Sequence, residues 1–404
     1  MGIVRQAALA SVAVALSACR DTAPRELGTP SVLRDIRGDT SVVRTVGEGK
    51  WGPARQAEPV LEIRETSPET QFGDVAAVAA MPDGGVAVLD QRSSEGLVIR
   101  RFDADGRFVR NIGREGGGPG EYSSVGQVTM AVQSDGSLIV RDGARAILRY
   151  SPDGSYRDGF RLDLGRGTGL GLVAADDGSV YVQGRLRPSS ADARRRLPAV
   201  LRYSASGRVL DSIVDPTSWL TRVPRSRYEA SEVWMPTPDR RIMYFRTDKV
   251  GFLVVDPSHR SKPLLAEIAA EPVPYLGEER EELRRIDEWR HREMPAVVLG
   301  PPSEIPTEKL PSKWGFVDLN GRIWVARTTV AERVPGTVAA RAGNKTIMVT
   351  YEEPPAFAAF ESDGSFLGEV DFPVGARPSF VGNTAWAVVL ASDGVPTLVK
   401  YRIY

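Results

Sequence analysis

One short pattern, a turn followed by an alternating strand, recurs along most of the chain and narrows the folds open to it. Clear copies stand at Asp83-Gly84-Gly85-Val86-Ala87-Val88, Asp135-Gly136-Ser137-Leu138-Ile139-Val140 and Asp177-Gly178-Ser179-Val180-Tyr181-Val182. Looser copies follow at Asp239-Arg240-Arg241-Ile242-Met243-Tyr244, Asn320-Gly321-Arg322-Ile323-Trp324-Val325 and Gly382-Asn383-Thr384-Ala385-Trp386-Ala387. A second series of turns interleaves with these, at Asp105-Gly106, Asp153-Gly154, Ser206-Gly207, Pro257-Ser258 and Asp363-Gly364. Most of that series follows an aromatic-bearing strand, as at Arg101-Phe102, Arg149-Tyr150, Arg202-Tyr203 and Ala359-Phe360. Asp-Gly favours a two-residue hairpin, whose central positions both need positive φ, so each copy predicts such a hairpin. Two hairpins per unit make a four-stranded antiparallel sheet. Six units of roughly 45 to 80 residues then match a radial repeat, in which one sheet buries its faces only against its neighbours. The 40 Gly and 29 Pro among 404 residues agree, since many short strands need many turns.

Two stretches carry a resemblance to a known family. Ile112-Gly113-Arg114-Glu115-Gly116-Gly117-Gly118-Pro119-Gly120-Glu121-Tyr122 resembles the inter-blade linker of six-bladed NHL-like propellers, and Leu319-Asn320-Gly321-Arg322-Ile323-Trp324-Val325 resembles their strand-turn-strand signature. The resemblance covers about residues 60 to 404 and implies an all-β, six-bladed β-propeller of four-stranded antiparallel blades. The chain ends on Leu398-Val399-Lys400-Tyr401-Arg402-Ile403-Tyr404, an alternating strand with no hairpin partner after it. Such an edge invites aggregation. The early strand Val60-Leu61-Glu62-Ile63-Arg64 is expected to pair with it and close the ring.

The first residues read as an address. Arg5, an apolar run from Ala7 to Val14 and the small residues Ser17 and Ala18 form a secretory signal too short to span a bilayer. Leu16-Ser17-Ala18-Cys19 resembles a bacterial lipobox, which implies that Cys19 becomes the lipid-bearing first residue after cleavage. Arg20, rather than Asp, implies the outer membrane. Residues 1–18 are thus expected to be a lipoprotein signal peptide, 19–39 a flexible tether and 40–404 the propeller, with an insertion at about 266–313. The insertion holds the one convincing helix, 277–293, in which Leu283, Ile286 and Trp289 form an apolar stripe expected to lie against the propeller. Glu281 and Arg285 stand at pairing distance on it.

In such a blade the Asp-Gly turns share one face, and the long connections lie on the other. The second face is therefore the expected functional side. Arg141, Arg246 and Arg327 each fall at the end of a predicted second strand and form a candidate ligand face, together with Arg185 and Arg187. Ion pairing with Asp142 and Asp248 is the alternative role for them. The triplet Arg194-Arg195-Arg196 reads as a solvated loop.

Composition removes several chemistries. Charges of 52 Lys+Arg and 52 Asp+Glu cancel, so no global field holds nucleic acid. One cysteine and two histidines, His259 and His291, exclude a disulfide framework and a three-histidine zinc centre. The glycine-rich stretches 113–120 and 165–171 lack P-loop or dinucleotide spacing and read as linkers. No cofactor is predicted. The expected role is a membrane-anchored module that binds a protein, peptide or glycan. The alternative is a calcium-dependent hydrolase or lyase of the lactonase type, since hard cations need only oxygen ligands.

Overall fold

A computed structural model describes residues 31–93, 96–123, 128–162, 171–175, 177–186, 197–214, 228–294, 304–342, 345–390 and 395–403. Its strands form a six-bladed β-propeller. Blade 1 runs outward through Val75–Ala80, Val86–Ser93, Gly96–Phe102 and Phe108–Ile112, and blade 2 through Val128–Val132, Leu138–Asp142, Ala146–Tyr150 and Tyr156–Arg161. Blade 3 comprises Leu172–Ala174, Val180–Leu186, Leu197–Tyr203 and Val209–Val214. Blade 4 comprises Glu232–Pro236, Ile242–Arg246, Val250–Val255 and Leu264–Ile268. Ser312–Val317, Ile323–Arg327, Ala356–Phe360 and Phe366–Asp371 make blade 5. Blade 6 takes Arg377–Val381, Thr384–Leu390 and Pro396–Arg402 from the end of the chain, and its outer strand, Glu58–Ile63, from near the start. The early strand therefore closes the ring as its alternation predicted.

Apolar clusters explain why the sheets stand in a circle. Ile99, Leu89 and Tyr122 of the blade 1 side meet Leu138, Val140 and Tyr150 of blade 2. Ile139 and Ile147 of blade 2 meet Val182, Leu201 and Tyr203 of blade 3, and Tyr181 and Val200 continue to Trp234 of blade 4. Phe245 and Phe252 join blade 4 to Phe360 of blade 5, and Trp324 and Phe357 join blade 5 to Phe380 and Tyr401 of blade 6. The last junction sets Trp386 and Leu398 against Val86, Val88 and Phe102 of blade 1. Each blade thus buries one face on each neighbour, at roughly 1.5–3 kcal/mol per large apolar side chain.

The turns correct one expectation. Most are wider than a two-residue hairpin: in blade 1, Gly84 N–H donates to Met81 O at 2.9 Å while Met81 N–H donates to Gly85 O at 2.9 Å. Only the glycine is left-handed, at φ 83° for Gly84 and 85° for Gly136, so the aspartate is chosen for another reason. Its carboxylate accepts the N–H two residues on, as Asp83 does from Gly85 at 3.0 Å and Asp135 from Ser137 at 2.8 Å. Blade 6 keeps the two-residue form, with Val381 paired directly to Thr384. The aromatic that precedes the outer turn sits at a register shift in blades 1, 2, 3 and 5, at Phe102, Tyr150, Tyr203 and Phe360. All four are buried.

The outer-turn glycines have a second task, because each lies against the outer strand of the preceding blade. A Cβ on Gly106 would stand 3.0 Å from Leu61, one on Gly154 2.8 Å from Arg110, and one on Gly207 2.5 Å from Phe160.

Upstream of blade 6 the chain forms a belt. Thr40–Val46 pairs in parallel with the outer strand of blade 4, and Ser31–Arg37 pairs antiparallel outside it. Residues 31–37, expected within the tether, are therefore part of a sheet. Their β-branched Val32 and Ile36 suit a strand, and an open strand edge on blade 4 was available to the hairpin. Trp51 then lies buried 6.2 Å from Trp324, the Arg322 guanidinium 5.2 Å from its ring, and Arg55–Gln56 pairs with the outer strand of blade 5. Residues 1–30, including Cys19 and the signal segment, lie outside the described residues.

Two glycine substitutions separate the two glycine roles. Gly178→Ala, at φ 77° with nothing within 4 Å of the new Cβ, should cost about 1 kcal/mol for the left-handed backbone alone. Gly207→Ala should cost about 1–3 kcal/mol more, because Phe160 must move. Calorimetric melting of both variants checks the difference.

Candidate functional site

The innermost strands of all six blades line the ring's centre. Val78, Ala79, Met130, Ala131, Leu172, Val173, Met235, Phe316, Ser379 and Phe380 bound a cavity of about 240 Å³ whose wall is almost wholly uncharged. Toward the face of the Asp-Gly turns it continues into a second cavity of about 210 Å³ with an apolar floor of Val132, Ala174, Met243, Val317 and Ile323. The rim there is polar: Gln133, Ser134, Thr237, Asp239, Arg241, Asp318 and Ser362. Each rim position comes from a turn after an inner strand, except Ser362, which belongs to the outer turn of blade 5.

The rim groups are held in place by short local bonds. Arg241 Nε donates to Asp239 Oδ2 at 2.7 Å, and Gln133 Nε2 donates to Ala175 O at 3.1 Å. Asp318 is buried and accepts from Asn320 N–H at 2.9 Å, Arg322 N–H at 3.0 Å and Trp324 Nε1–H at 2.9 Å. Burial nevertheless pushes its carboxyl above the usual carboxylate range. Among the described residues no three His, Cys, Asp or Glu side chains gather into a metal-holding group. The mouth is an amphipathic pocket, apolar below and hydrogen-bonding above.

The opposite face carries the insertion. Helix α1 (Gly277–Glu293) falls on the predicted residues, with Glu278 and Glu279 in its first turn and Arg290, His291 and Arg292 in its last, as the helix dipole favours. Ile286 and Trp289 of the expected stripe are buried and Leu283 is half-buried. The surface α1 lies along is not a blade, as expected, but a hairpin, Glu332–Ala342 with Lys345–Glu352, inserted between the second and third strands of blade 5. Glu282 fixes the contact by accepting Thr350 N–H at 2.8 Å and Tyr351 N–H at 3.1 Å. Glu281 pairs with Arg284 rather than Arg285, which instead reaches Glu282 at 3.7 Å. Lys309, 1% exposed, ties the insertion to blade 5 by bonding Glu279 at 2.7 Å and Glu353 at 3.0 Å, and Lys313 reaches Glu353 at 2.9 Å. The largely β-branched and aromatic run Thr346-Ile347-Met348-Val349-Thr350-Tyr351 is the sequence signal for a strand of this hairpin.

The candidate arginines stand at the same end of the second strands but do not meet around the central cavity. Arg141 is fully buried; it donates to Gly143 O at 2.8 Å and Gly171 O at 3.0 Å, and burial lowers its guanidinium to about 10. It joins blade 2 to the chain entering blade 3, while Asp142 pairs with Arg145 at 2.7 Å instead. Arg246 holds Asp248 at 2.6 Å, the pairing weighed for it from sequence, and Arg327 pairs with Glu369 of its own blade. Arg185 lies in Val180–Leu186 at the corresponding strand end. Arg187 and Arg194 to Arg196 lie outside the described residues. His259 occupies an exposed turn, and His291 Nδ1 lies 2.7 Å from Asp287 O within the helix.

The lysine network predicts how the insertion fails. Lys309→Met leaves the buried Glu279 carboxylate without its cation, while Glu353 keeps Lys313, and should cost about 3–5 kcal/mol. Hydrogen exchange should speed up in α1 and the hairpin more than in blades 1 to 3. Partial burial of Glu353 pushes its carboxyl up, but Lys313 and Lys309 hold it below the usual range. Its contribution is present above the ordinary carboxylate pKa and lost as pH falls through the lowered one. Melting curves between about pH 6 and 3 should therefore fall less steeply for Glu353→Gln than for the parent.

Comparison with known proteins agrees with this architecture. Residues 63–176, which span blades 1 and 2 and the first strand of blade 3, match the model of a family described as "6-bladed beta-propeller". No curated protein sequence matches the chain. Among solved structures, a "Putative exported protein" of Bacteroides fragilis is 11% identical with a TM-score of 0.46, covering 90% of this chain and 99% of its own. Virginiamycin B lyase of Staphylococcus aureus is 12% identical with a TM-score of 0.36, covering 85% of this chain and 87% of its own. A calcium-binding regucalcin of Agrobacterium tumefaciens is 12% identical with a TM-score of 0.37, covering 86% and 97%. Likenesses this distant assign no activity to this chain.

Proposed function

We propose that this propeller is a lipid-anchored, extracytoplasmic binding module of the bacterial outer membrane, and that its ligand site is the turn-side mouth of the central channel. The observation that carries the binding role is the amphipathic pocket: six inner strands supply an uncharged wall, and the rim at Thr237, Asp239, Arg241 and Asp318 supplies donors and acceptors. A site of this kind holds an apolar body and orients a polar end. It suits the side chain of a protein or peptide segment, or a small amphipath. The Leu16-Ser17-Ala18-Cys19 string supports the anchor, and the NHL-like linker and turn segments support a scaffold role. On the long-loop face, Arg246 and Arg327, at half-buried strand ends and paired with Asp248 and Glu369, offer a second contact area for a macromolecular ligand. The lactonase-type alternative would need three or more oxygen ligands at the channel mouth, whereas Asp239 and Asp318 are already engaged by Arg241, Trp324 and turn N–H groups.

Two measurements test the two halves. Cells fed labelled palmitate should label the protein, and Cys19→Ser should abolish the label and release the protein from the membrane fraction; retention of both would sink the anchor. For the pocket, decanoate should raise the melting temperature of the parent but not of Ala79→Phe, in which the new ring fills the channel. Stabilisation by calcium that is lost on chelation, with no decanoate effect, would turn the reading toward the enzyme.

A further inference from the structure

A second site lies beside the channel mouth, in the cleft between blades 3 and 4 on the turn face. The fourth residue of the wide turns is left-handed, and glycine fills it in blades 1, 2, 3 and 5. Blade 4 departs from this at both of its turns, with Arg240 at φ 71° and His259 at φ 54°. These are the non-glycine residues of positive φ among the described residues. A side chain there costs about 1–2 kcal/mol that glycine would not. Strain of this kind is held where the side chain serves something other than the fold.

Both strained turns border one cleft of about 440 Å³, lined by Tyr181, Arg202, Arg240, Arg241, Asp256 and Arg260, among others. The carboxylates around it are already engaged. Asp177 binds Arg202, and Asp211 stands 3.5 Å from the same guanidinium. Asp239 holds Arg241 at 2.7 Å. Asp256 accepts Ser258 N–H at 2.8 Å, Arg260 N–H at 3.1 Å and Ser261 N–H at 3.2 Å, so it folds its own loop. Two cations are left over. The nearest carboxylate oxygen to Arg240 is that of Asp177, 3.9 Å away and shared with Arg202. The Arg260 guanidinium makes no ion pair among the described residues, while the Ser258 hydroxyl, also in the lining, donates to Asp256 at 2.5 Å. Guanidinium forks with spare donors suit a tetrahedral oxyanion, which accepts on several oxygens at once.

We propose that this cleft binds a phosphate or sulfate group, free or carried on a sugar or a lipid headgroup, with Arg240 and Arg260 as the gripping side chains. The cleft shares Asp239 and Arg241 with the rim of the channel mouth, but Arg240 and Arg260 lie outside that rim, and the site does not depend on the anchor. The backbone strain at position 240 gives the test an uncommon sign. Isothermal titration of the full chain in detergent with inorganic phosphate, at matched ionic strength, should show binding. Arg260→Ala should weaken it about tenfold or more with the melting temperature unchanged. Arg240→Gly should weaken it similarly while raising the melting temperature by about 1–3 °C, because the strain is relieved. Glucose 6-phosphate and dihexanoyl phosphatidic acid, below its micellar concentration, distinguish a sugar-borne from a lipid-borne group; tighter binding of either than of inorganic phosphate supports the site and names the carrier. The proposal is overturned if the parent binds none of these, if both variants bind as the parent does, or if Arg240→Gly lowers the melting temperature.

Discussion

The pairing of Glu58–Ile63 with Pro396–Arg402 is the constraint on which the rest of the molecule depends. Every apolar junction draws side chains from two blades, so no blade is complete until both neighbours stand beside it. With the seam open, the outer edge of Pro396–Arg402 would lose its ladder partner, and blade 6 would lose Ile63 from the face it shares with blade 1. Closing the circle removes both costs together. It also makes stability a collective property, since the benefit of the last junction arrives only when the sixth blade is whole. The channel inherits its shape from this closure, because six inner strands surround it only in a closed ring.

Much of the fold could be read because its signals are local. An aspartate, a glycine and an alternating strand lie within six residues of each other, and each constrains backbone geometry directly. The pairing of Val60 to Arg64 with the terminal strand was legible for a related reason: two alternating segments without hairpin partners are each half of a sheet. The turn type was less legible. Asp-Gly suits a two-residue hairpin and a wider turn with a left-handed glycine alike, and the choice rests on the hydrogen bond between Met81 and Gly85, which pairing on both sides of the turn decides. The belt escaped altogether. Ser31–Arg37 is exposed along its length, so it lacks the buried alternation that marks a strand, and the hairpin's anchor, the pairing of Thr40–Val46 with blade 4, is made to residues more than two hundred positions away.

The sites were harder to read than the fold, and particular residues show why. Arg141, Arg246 and Arg327 share a position in their blades, which sequence spacing can reveal. Their partners differ, however: two backbone carbonyls for the first, an adjacent aspartate for the second, and a glutamate across the blade for the third. Sequence spacing does not say where a guanidinium finds its acceptor. The channel wall was equally hidden, because its valines, alanines and methionines look like any other core residues until six strands are set in a circle. The departure of Asp239-Arg240-Arg241 from Asp-Gly was visible as a weaker copy of the repeat, and its backbone angle gives that weakness a physical meaning.

The belt also decides how the ring would respond to being pulled. Tension on the N-terminus reaches the described chain at Ser31, on blade 4, and not at the seam in blade 6. Ser31–Arg37 buries nothing, and Thr40–Val46 buries only Val42, Val43 and Thr45, whereas the seam is backed by Ile63, Leu398 and Tyr401. The outer hairpin, Ser31 to Val46, would peel first and lengthen the N-terminal segment by about sixteen residues, with Trp51 clamped against Trp324 and Arg322 as the next stop. The propeller would remain shut while its attachment yields, so the hairpin works as a mechanical fuse between whatever holds the N-terminus and the ring.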